Sequence, residues 1–282
     1  MAEEVYETLI IGGGPAGLSA ALYLARYDRR VALFDIGHGR STWHQVNHNY
    51  LGFPGGIATR TLRELGYQQL SAYPYVQIRE HKIETLQRRK EGFVAIGQAG
   101  EWIGRTVILC TGVLDHYPHF GGWEDYVGRS MFWCITCDGY ESQGKRVVVI
   151  GNTNEAVAEA MQLSRFTDKL TLLANSHECF ITPFFEQRLS RAKIPLIHDK
   201  IEQVDGKDGY FEALYIQGGR CIPLERLFCQ QGATPQTKLA EDIGVSLNEP
   251  GYIVVDSEQR TTVPCIYAAG DVTRLHSHQV ST

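Results

Sequence analysis

The sequence has no hydrophobic run that approaches the roughly 18 residues needed to span a membrane as a helix. It has no surplus of basic residues either, since 27 Lys and Arg stand against 32 Asp and Glu and give a formal net charge of -5. Without a positive field to attract phosphate backbones, nucleic acid is not an expected partner. The chain starts Met1-Ala2-Glu3-Glu4, which is acidic where a secretory signal is basic. We therefore expect a cytoplasmic protein that does not enter a membrane.

The ligand spacing of a metal site is also missing. A zinc site built on one C-x-x-C pair needs a second pair or closely spaced histidines, and neither is present. His44 with His48 and His276 with His278 form near pairs, but neither has a third ligand close by. We expect no bound metal.

The seven cysteines do not suggest a disulfide framework, because their number is odd and the chain carries no export signal. Cys134 and Cys137 stand three positions apart and are treated below. Free cysteine is among the most buried residue types, so the other five are expected to be small core residues. These five are Cys110, Cys179, Cys221, Cys229 and Cys265.

The N-terminal region has the order strand, glycine turn, helix, strand. Residues 7–11 form an apolar run that contains β-branched residues, residues 12–17 are rich in glycine, and residues 18–26 have helical periodicity. A second apolar strand at 31–34 completes a βαβ unit. At 282 residues the chain is long enough for about two such domains.

The glycine turn fits the fingerprint Gly12-x-Gly14-x-x-Gly17 of a dinucleotide-binding unit. In that fingerprint Gly12 permits the tight turn, Gly14 lets a pyrophosphate approach the backbone, and Gly17 lets helix and strand pack closely. The helix N-terminus offers free N–H groups to the diphosphate. Asp35, which follows the second strand, is expected to accept a hydrogen bond from a ribose hydroxyl.

A shift of 139 positions superposes a second βαβ unit on the first without a gap, with strands at 146–150 and 170–173. At the fingerprint positions this unit has Gly151, Thr153 and Ala156, and Ala174 stands where the first unit has Asp35. Thr153 puts a β-branched side chain where a pyrophosphate needs bare backbone, and Ala174 cannot hold a ribose hydroxyl. Binding of NADPH to the second unit is therefore disfavoured.

The pair Cys134 and Cys137, followed by Asp138, has the spacing of a redox-active dithiol. Two sulfurs at this separation can close a small ring, and a helix that starts there lowers the pKa of one thiol. The thiolate attacks a partner disulfide, the second cysteine resolves the mixed disulfide, and Asp138 moves the proton. A zinc half-site and a simple Asp-Gly turn are the alternatives.

Four motifs resemble, in order and spacing, those of the low-molecular-weight thioredoxin reductases, and the resemblance covers nearly the whole chain. They are Gly12-Gly13-Gly14-Pro15-Ala16-Gly17, Thr111-Gly112, Cys134-Ile135-Thr136-Cys137-Asp138-Gly139 and Ala268-Ala269-Gly270-Asp271-Val272.

The resemblance implies an α/β fold with two Rossmann-like domains of the ββα-flavoprotein type. The FAD domain would be discontinuous, at 1–116 and 234–282, and an inserted central domain at 117–233 would carry the C-x-x-C pair. The two would rotate, so that the dithiol faces either the flavin or a partner protein. The protein would be a homodimer.

By position the resemblance also assigns roles. Cys137 would lie against the flavin, Cys134 would attack the partner, and Asp138 would be the acid/base. The ribitol chain would be held by Asp271. The full set of implied FAD-binding residues is Gly12, Gly14, Pro15, Ala16, Gly17, Asp35, Asn49, Thr111, Gly112, Gly270, Asp271, Gln279 and Val280.

The chain departs from NADPH-using members, which have a full glycine fingerprint in the central domain and an arginine pair after its second strand. Here Asn152-Thr153 and Asn175-Ser176 occupy those positions. The pattern resembles the pyridine-nucleotide-independent branches, which are ferredoxin-linked, deep-rooted or diflavin-linked. The resemblance thus implies a ferredoxin-type electron donor, or a second flavin in the vacated site.

The sequence predicts a flavin-dependent dithiol-disulfide oxidoreductase that passes electrons from FAD through Cys137 and Cys134 to a thioredoxin-like protein. A flavin-dependent dithiol oxidase using dioxygen, a non-catalytic flavin redox sensor and a metal-holding structural protein stay open as alternatives.

Overall fold

The computed structural model describes residues 4–43 and 45–273. The strands, in chain order, are β1 (Val5–Ile11), β2 (Val31–Phe34), β3 (Val46–Asn47), β4 (Ile57–Ala58), β5 (Val76–Arg79), β6 (Thr85–Arg89), β7 (Gly92–Gly97), β8 (Gly100–Leu109), β9 (Val113–Asp115), β10 (Met131–Phe132), β11 (Val147–Ile150), β12 (Leu170–Leu173), β13 (Leu196–Ile197), β14 (Ile201–Lys207), β15 (Tyr210–Ile216), β16 (Arg220–Pro223), β17 (Arg226–Cys229), β18 (Ala233–Pro235) and β19 (Ile266–Ala268). The α-helices are α1 (Pro15–Arg26), α2 (Thr59–Leu70), α3 (Ile135–Asp138), α4 (Asn154–Leu163), α5 (Pro183–Arg191) and α6 (Lys238–Asp242).

Contacts within the chain divide the described residues into two compact units. The first contains the described residues of 1–43, 59–114 and 234–282, and the second contains those of 44–58 and 115–233. The described residues of 44–58 belong to the second unit by their contacts, whereas the resemblance implies that they lie in the first domain. The predicted domain boundaries stay a prediction, because contact density does not test independent folding.

The first unit is built on a seven-stranded sheet in the order β5-β2-β1-β8-β7-β6, with β19 beside β8. Strands β5, β2, β1, β8 and β19 run parallel, and β7 and β6 are antiparallel to their neighbours. In the register of the sheet, Ile11 is level with both Phe34 and Leu109, and Leu109 is level with Ala268. The residues that follow these four strand ends therefore meet at one edge of the sheet, where ligands of open parallel sheets bind.

The second unit contains a five-stranded parallel sheet in the order β10-β17-β11-β12-β13. An antiparallel sheet of β14, β15 and β16 and the short antiparallel pair β3–β4 complete it. Strand β9 pairs with β18 in a further two-stranded sheet. The α/β fold class with two Rossmann-like parallel sheets is thereby confirmed.

The central strands read as continuous apolar runs because both faces of a parallel sheet are covered. All four residues of β2 and of β11 are buried. Leu9 and Phe34 belong to the core of the first unit, whereas Val149 and Leu172 belong to that of the second. Among the described residues no helix is both long and apolar enough to cross a membrane.

Two expectations about local structure are wrong. Of the five separate cysteines only Cys110 and Cys229 are buried, whereas Cys179 is half-buried and Cys221 and Cys265 are exposed. Cys221 lies in β16, where successive side chains point to opposite faces, so an apolar neighbourhood in sequence does not decide its burial. Cys179 and Cys265 lie outside the strands and helices. The apolar run at 252–255, whose residue types predict a strand, contributes among the described residues only an isolated bridge between Ile253 and Leu247.

Candidate functional site

The glycine turn after β1 has the conformation that the fingerprint requires. Gly12 has a φ of 114°, and a Cβ at this position would collide with the carbonyl oxygen of Cys110 on the neighbouring strand end. A Cβ at Gly17 would collide with the carbonyl oxygen of Gly12. Both glycines are thus required by close backbone packing, as the sequence predicts.

The start of α1 fits a bound diphosphate. Gly14, which has no side chain that could cap the helix, is the N-cap residue, and Pro15 opens the helix. The first turn contains no acidic residue, and no atom of the described residues lies within 4 Å of the position of a Cβ on Gly14. Unsatisfied amides, a positive helix end and uncovered backbone are the features that a phosphate group needs.

Asp35, at the end of β2, is buried and tightly held by its own chain. Its carboxylate accepts a hydrogen bond from the backbone N–H of Gly37 at 3.0 Å and from the side chains of Arg63 and Tyr67 on α2. Burial alone would raise the pKa of Asp35, but the bonds from Tyr67, Gly37 and Arg63 outweigh it and leave that pKa below the ordinary value. The partners on α2 are a feature that the sequence analysis missed. The ribose contact of Asp35 stays a prediction.

The predicted Gly-Asp motif lies against the same turn. A Cβ on Gly270, whose φ is 80°, would come within 2.8 Å of the Cβ of Ala16 at the start of α1. Asp271, next in the chain, accepts a hydrogen bond from the guanidinium of Arg40 at 2.7 Å. The guanidinium of Arg40 balances the charge of Asp271 beside the glycine turn. Arg40 does not belong to any of the sequence motifs, so the sequence did not predict this ion pair.

Thr111 and Gly112 follow β8 at the same edge. Thr111 donates a hydrogen bond from Oγ1 to the carbonyl oxygen of Gln236 at 2.6 Å, and Gln236 donates its backbone N–H to the carbonyl oxygen of Gly112. The structure therefore brings together the predicted residues Gly12 to Gly17, Asp35, Thr111, Gly112, Gly270 and Asp271 within the first unit. Asn49 lies in the turn after β3, in the second unit. Gln279 and Val280 lie outside the described residues.

Cys134 and Cys137 form a disulfide at the start of α3, with their Cα atoms 5.3 Å apart. Cys134 is the N-cap residue, and its sulfur accepts a hydrogen bond from the backbone N–H of Cys137 at 3.1 Å. Cys137 is buried, whereas Cys134 is partly exposed. The pair is thus a closed disulfide in which Cys134 is the more exposed residue. Among the described residues there is no group of three metal-ligating side chains, so the residues around the pair do not complete a zinc site.

Asp138 directly follows Cys137 and is only 5% exposed. Burial raises the pKa of Asp138 to about 7. The nearby guanidinium of Arg226 opposes this rise, Glu141 adds to it, and a hydrogen bond from Gln45 opposes it. A carboxyl group with a pKa near neutrality both holds and releases a proton under ordinary conditions, which is what acid/base chemistry beside a thiol requires.

The second βα turn, between β11 and α4, differs from the first. Its helix carries the acidic Glu155 in the first turn, where a negative charge opposes a phosphate. The side chain of Asn152 donates to the carbonyl oxygen of Glu178 at 3.2 Å, and that of Asn154 accepts from the backbone N–H of Thr182 at 2.9 Å. Phe180 also donates its backbone N–H to the carbonyl oxygen of Asn152. The segment 178–182 is therefore bonded directly to this turn.

The family described as pyridine nucleotide-disulphide oxidoreductase matches residues 6–282 of the chain. The chain belongs to this family. A thioredoxin reductase from Listeria innocua is 30% identical over 292 residues, which cover 99% of this chain and 90% of that protein. One from Treponema pallidum is 31% identical over 290 residues, covering 99% and 93%. The solved thioredoxin reductase structure from Streptococcus pyogenes matches with a TM-score of 0.92 at 26% identity, covering 100% of this chain and 94% of that one.

Family membership confirms the predicted enzyme class and cofactor: the chain is a thioredoxin reductase-like, FAD-dependent oxidoreductase acting on disulfides. The first glycine turn is the part of this enzyme whose open backbone and uncapped helix fit FAD.

Proposed function

We propose that this enzyme reduces a disulfide on a thioredoxin-like protein partner through Cys134 and Cys137, and that NADPH is not its reductant. The observation that carries the proposal is the Cys134–Cys137 disulfide next to the buried carboxyl group of Asp138. The cytoplasmic location and the homodimer belong to the same proposal.

FAD held at the first glycine turn, once reduced by the electron donor, would supply the two electrons that open the disulfide. Opening of the Cys134–Cys137 bond takes up two electrons and two protons and leaves two thiols. Asp138 holds one proton close to the pair, because burial raises the pKa of its carboxyl group to about 7. The bonded N–H of Cys137 stabilises negative charge on the sulfur of Cys134.

Cys134 is the more exposed residue of the pair, which supports its role as the attacking nucleophile. Its thiolate forms a mixed disulfide with one sulfur of the partner and releases the other as a thiolate, which takes up a proton. Cys137 then attacks Cys134, so that the partner leaves as a dithiol and the internal disulfide forms again. Asp138 exchanges the proton that Cys137 gives up.

The disfavoured role of NADPH rests on the second turn. Thr153, a β-branched residue, is the N-cap of α4 at the position where the first turn has Gly14, and Glu155 places a negative charge in the first turn of α4. Asn152 and Asn154 are bonded to the segment 178–182. These features favour a ferredoxin-type donor, with a second flavin in this region as the other proposed source of electrons.

The test is an anaerobic titration of the purified yellow enzyme with NADPH, NADH and reduced ferredoxin, followed by the loss of flavin absorbance. We expect prompt bleaching with ferredoxin alone. Prompt bleaching by NADPH would refute the proposed electron donor. It would leave the proposed role of the cysteines unchanged.

The cysteines are tested separately by reduction of oxidised thioredoxin with a chemically reduced enzyme. Cys134→Ser and Cys137→Ser should each abolish turnover and keep the flavin, whereas Cys221→Ser, which changes an exposed cysteine outside the pair, should behave as wild type. Undiminished turnover in Cys137→Ser would overturn the proposed function.

A further inference from the structure

We propose that Gln45 is a positioning residue for Asp138: its amide group orients the carboxyl group beside the Cys134–Cys137 pair and sets the pH range over which that group carries a proton. The inference rests on the proposed function, because it assigns Gln45 to the acid/base step of the same site.

The contact is a defined hydrogen bond within the second unit. Nε2 of Gln45 donates to Oδ2 of Asp138 at 2.9 Å, across 93 positions of sequence. Asp138 is almost fully buried, so this bond replaces one that water would otherwise make. An amide donor that stabilises the ionised carboxylate lowers its pKa, in opposition to burial.

Gln45 is held in place by the short pair β3–β4, which starts at the next residue. Val46 is level with Ala58 and Asn47 with Ile57, and the buried side chain of Asn47 donates to the carbonyl oxygen of Ile57 at 3.3 Å. The hairpin therefore fixes the chain from which Gln45 reaches Asp138.

The backbone of Asp138 is anchored independently of Gln45. Its N–H donates to the carbonyl oxygen of Cys134 at 3.1 Å, and its own carbonyl oxygen accepts from the buried hydroxyl of Ser142 at 3.0 Å. With the backbone fixed in this way, the contact of Gln45 with Oδ2 acts on the orientation of the side chain. Loss of Gln45 should thus disturb the carboxyl group and leave α3 in place.

Two charged groups also face this carboxyl group. Arg226, at the start of β17, favours the ionised form, and Glu141, in the turn after α3, disfavours it. A second cation in place of Gln45 would hold Asp138 ionised, whereas an apolar side chain would hold it protonated. A neutral donor leaves both forms accessible, as a group that repeatedly gains and loses a proton requires.

The experiment follows the infrared carbonyl band of the protonated carboxyl group of Asp138 in the oxidised FAD-bound enzyme. The enzyme is titrated from about pH 5 to about pH 9. The band is assigned by its loss in Asp138→Asn. Gln45→Met keeps the side-chain volume and removes the donor. We expect the midpoint to move upward by about one pH unit, because a hydrogen bond to a charged group contributes about that much.

The matched control is Gln143→Met, which makes the same change at an exposed glutamine of the second unit. It should leave the midpoint unchanged. Gln45→Glu keeps the side-chain length and serves if Gln45→Met does not fold. Its added negative charge should also move the midpoint upward.

The pH profile of disulfide reduction supplies the second reading. Its alkaline limb should move with the infrared midpoint in Gln45→Met and stay in place in Gln143→Met. An unchanged infrared midpoint, or a moved midpoint with an unmoved pH profile, would overturn the inference. Absence of disulfide reduction by the wild-type enzyme would instead refute the proposed function, since the infrared titration does not depend on turnover.

Discussion

Replacement of Asp138 by Asn should make the enzyme more stable at alkaline pH while it impairs catalysis. The pKa of Asp138 is about 7 in the folded protein, against an ordinary value of 3.8. Below pH 4 the carboxyl group is protonated in both the folded and the unfolded chain. Between pH 4 and pH 7 only the folded protein keeps the proton, so the free energy of unfolding falls as the pH rises. Above pH 7 the full penalty of a buried charge is present.

The size of this penalty follows from the difference of about three pKa units, each equivalent to about 1.4 kcal/mol, and comes to about 4 kcal/mol. Because Asn cannot ionise, the Asp138→Asn variant does not carry this penalty. Asp138→Asn should therefore match the wild type near pH 4 and exceed it by about 4 kcal/mol at pH 8. With urea m-values of about 1–3 kcal/mol/M, the unfolding midpoint should rise by more than about 1 M.

The assay is urea unfolding of the oxidised protein at several pH values, with Asp168→Asn as the control at an exposed aspartate of the second unit. Burial also raises the pKa of Glu159, to about 8. Because Glu159 is unchanged in each variant, only the difference between wild type and Asp138→Asn reports on Asp138. A difference that stays constant from pH 5 to pH 9 would refute the reasoning from burial.

Three further changes test other parts of the molecule. Gly17→Ala drives a methyl group into the carbonyl oxygen of Gly12, so we expect a loss of about 1–3 kcal/mol in stability and a lower flavin content after purification; normal FAD occupancy would contradict the geometry of the turn. Arg40→Ala leaves the partly exposed carboxylate of Asp271 without its cation and should lower the thermal stability of the apoprotein by about 1 kcal/mol, an effect that high salt in the wild type should mimic. Leu172→Ala removes a fully buried side chain from the core of the second unit and should lower the free energy of unfolding by about 2–5 kcal/mol, measured in urea; a loss below 1 kcal/mol would mean that this core repacks.

The elements that the sequence predicts well are those in which local pattern and tertiary packing agree. The apolar runs at 7–11 and 147–150 are strands β1 and β11, because parallel strands covered on both faces need continuous hydrophobic residues. The glycine turn can also be predicted from the sequence, because the close approach of the backbone at Gly12 and Gly17 leaves no room for a side chain. The run at 252–255 is also apolar, but within the described part of the chain it pairs only through an isolated bridge between Ile253 and Leu247. An apolar composition does not by itself determine whether a segment has a neighbouring strand to pair with.

The sequence predicts those residues of the site that are neighbours in the chain. Cys134, Cys137 and Asp138 sit together in sequence, and they also sit together in the structure. The residues that shift the pKa of Asp138 are not close to it in the sequence. Arg226, at the start of β17, lies 88 positions away from Asp138 in the sequence, and Gln45, just before β3, lies 93 positions away.

A C-x-x-C-Asp motif specifies which atoms can react, but the pH at which they do so is set by burial and by distant partners. In an exposed loop the carboxyl group of such a motif would titrate far below neutrality and could not return a proton to a thiolate. Folding removes water from Asp138, and Arg226 and Gln45 then oppose part of the resulting rise in its pKa. The balance of these effects near pH 7 is a property of the packed second unit. It follows that residues of the β3–β4 hairpin, which carry no redox chemistry of their own, are constrained by the chemistry of the dithiol.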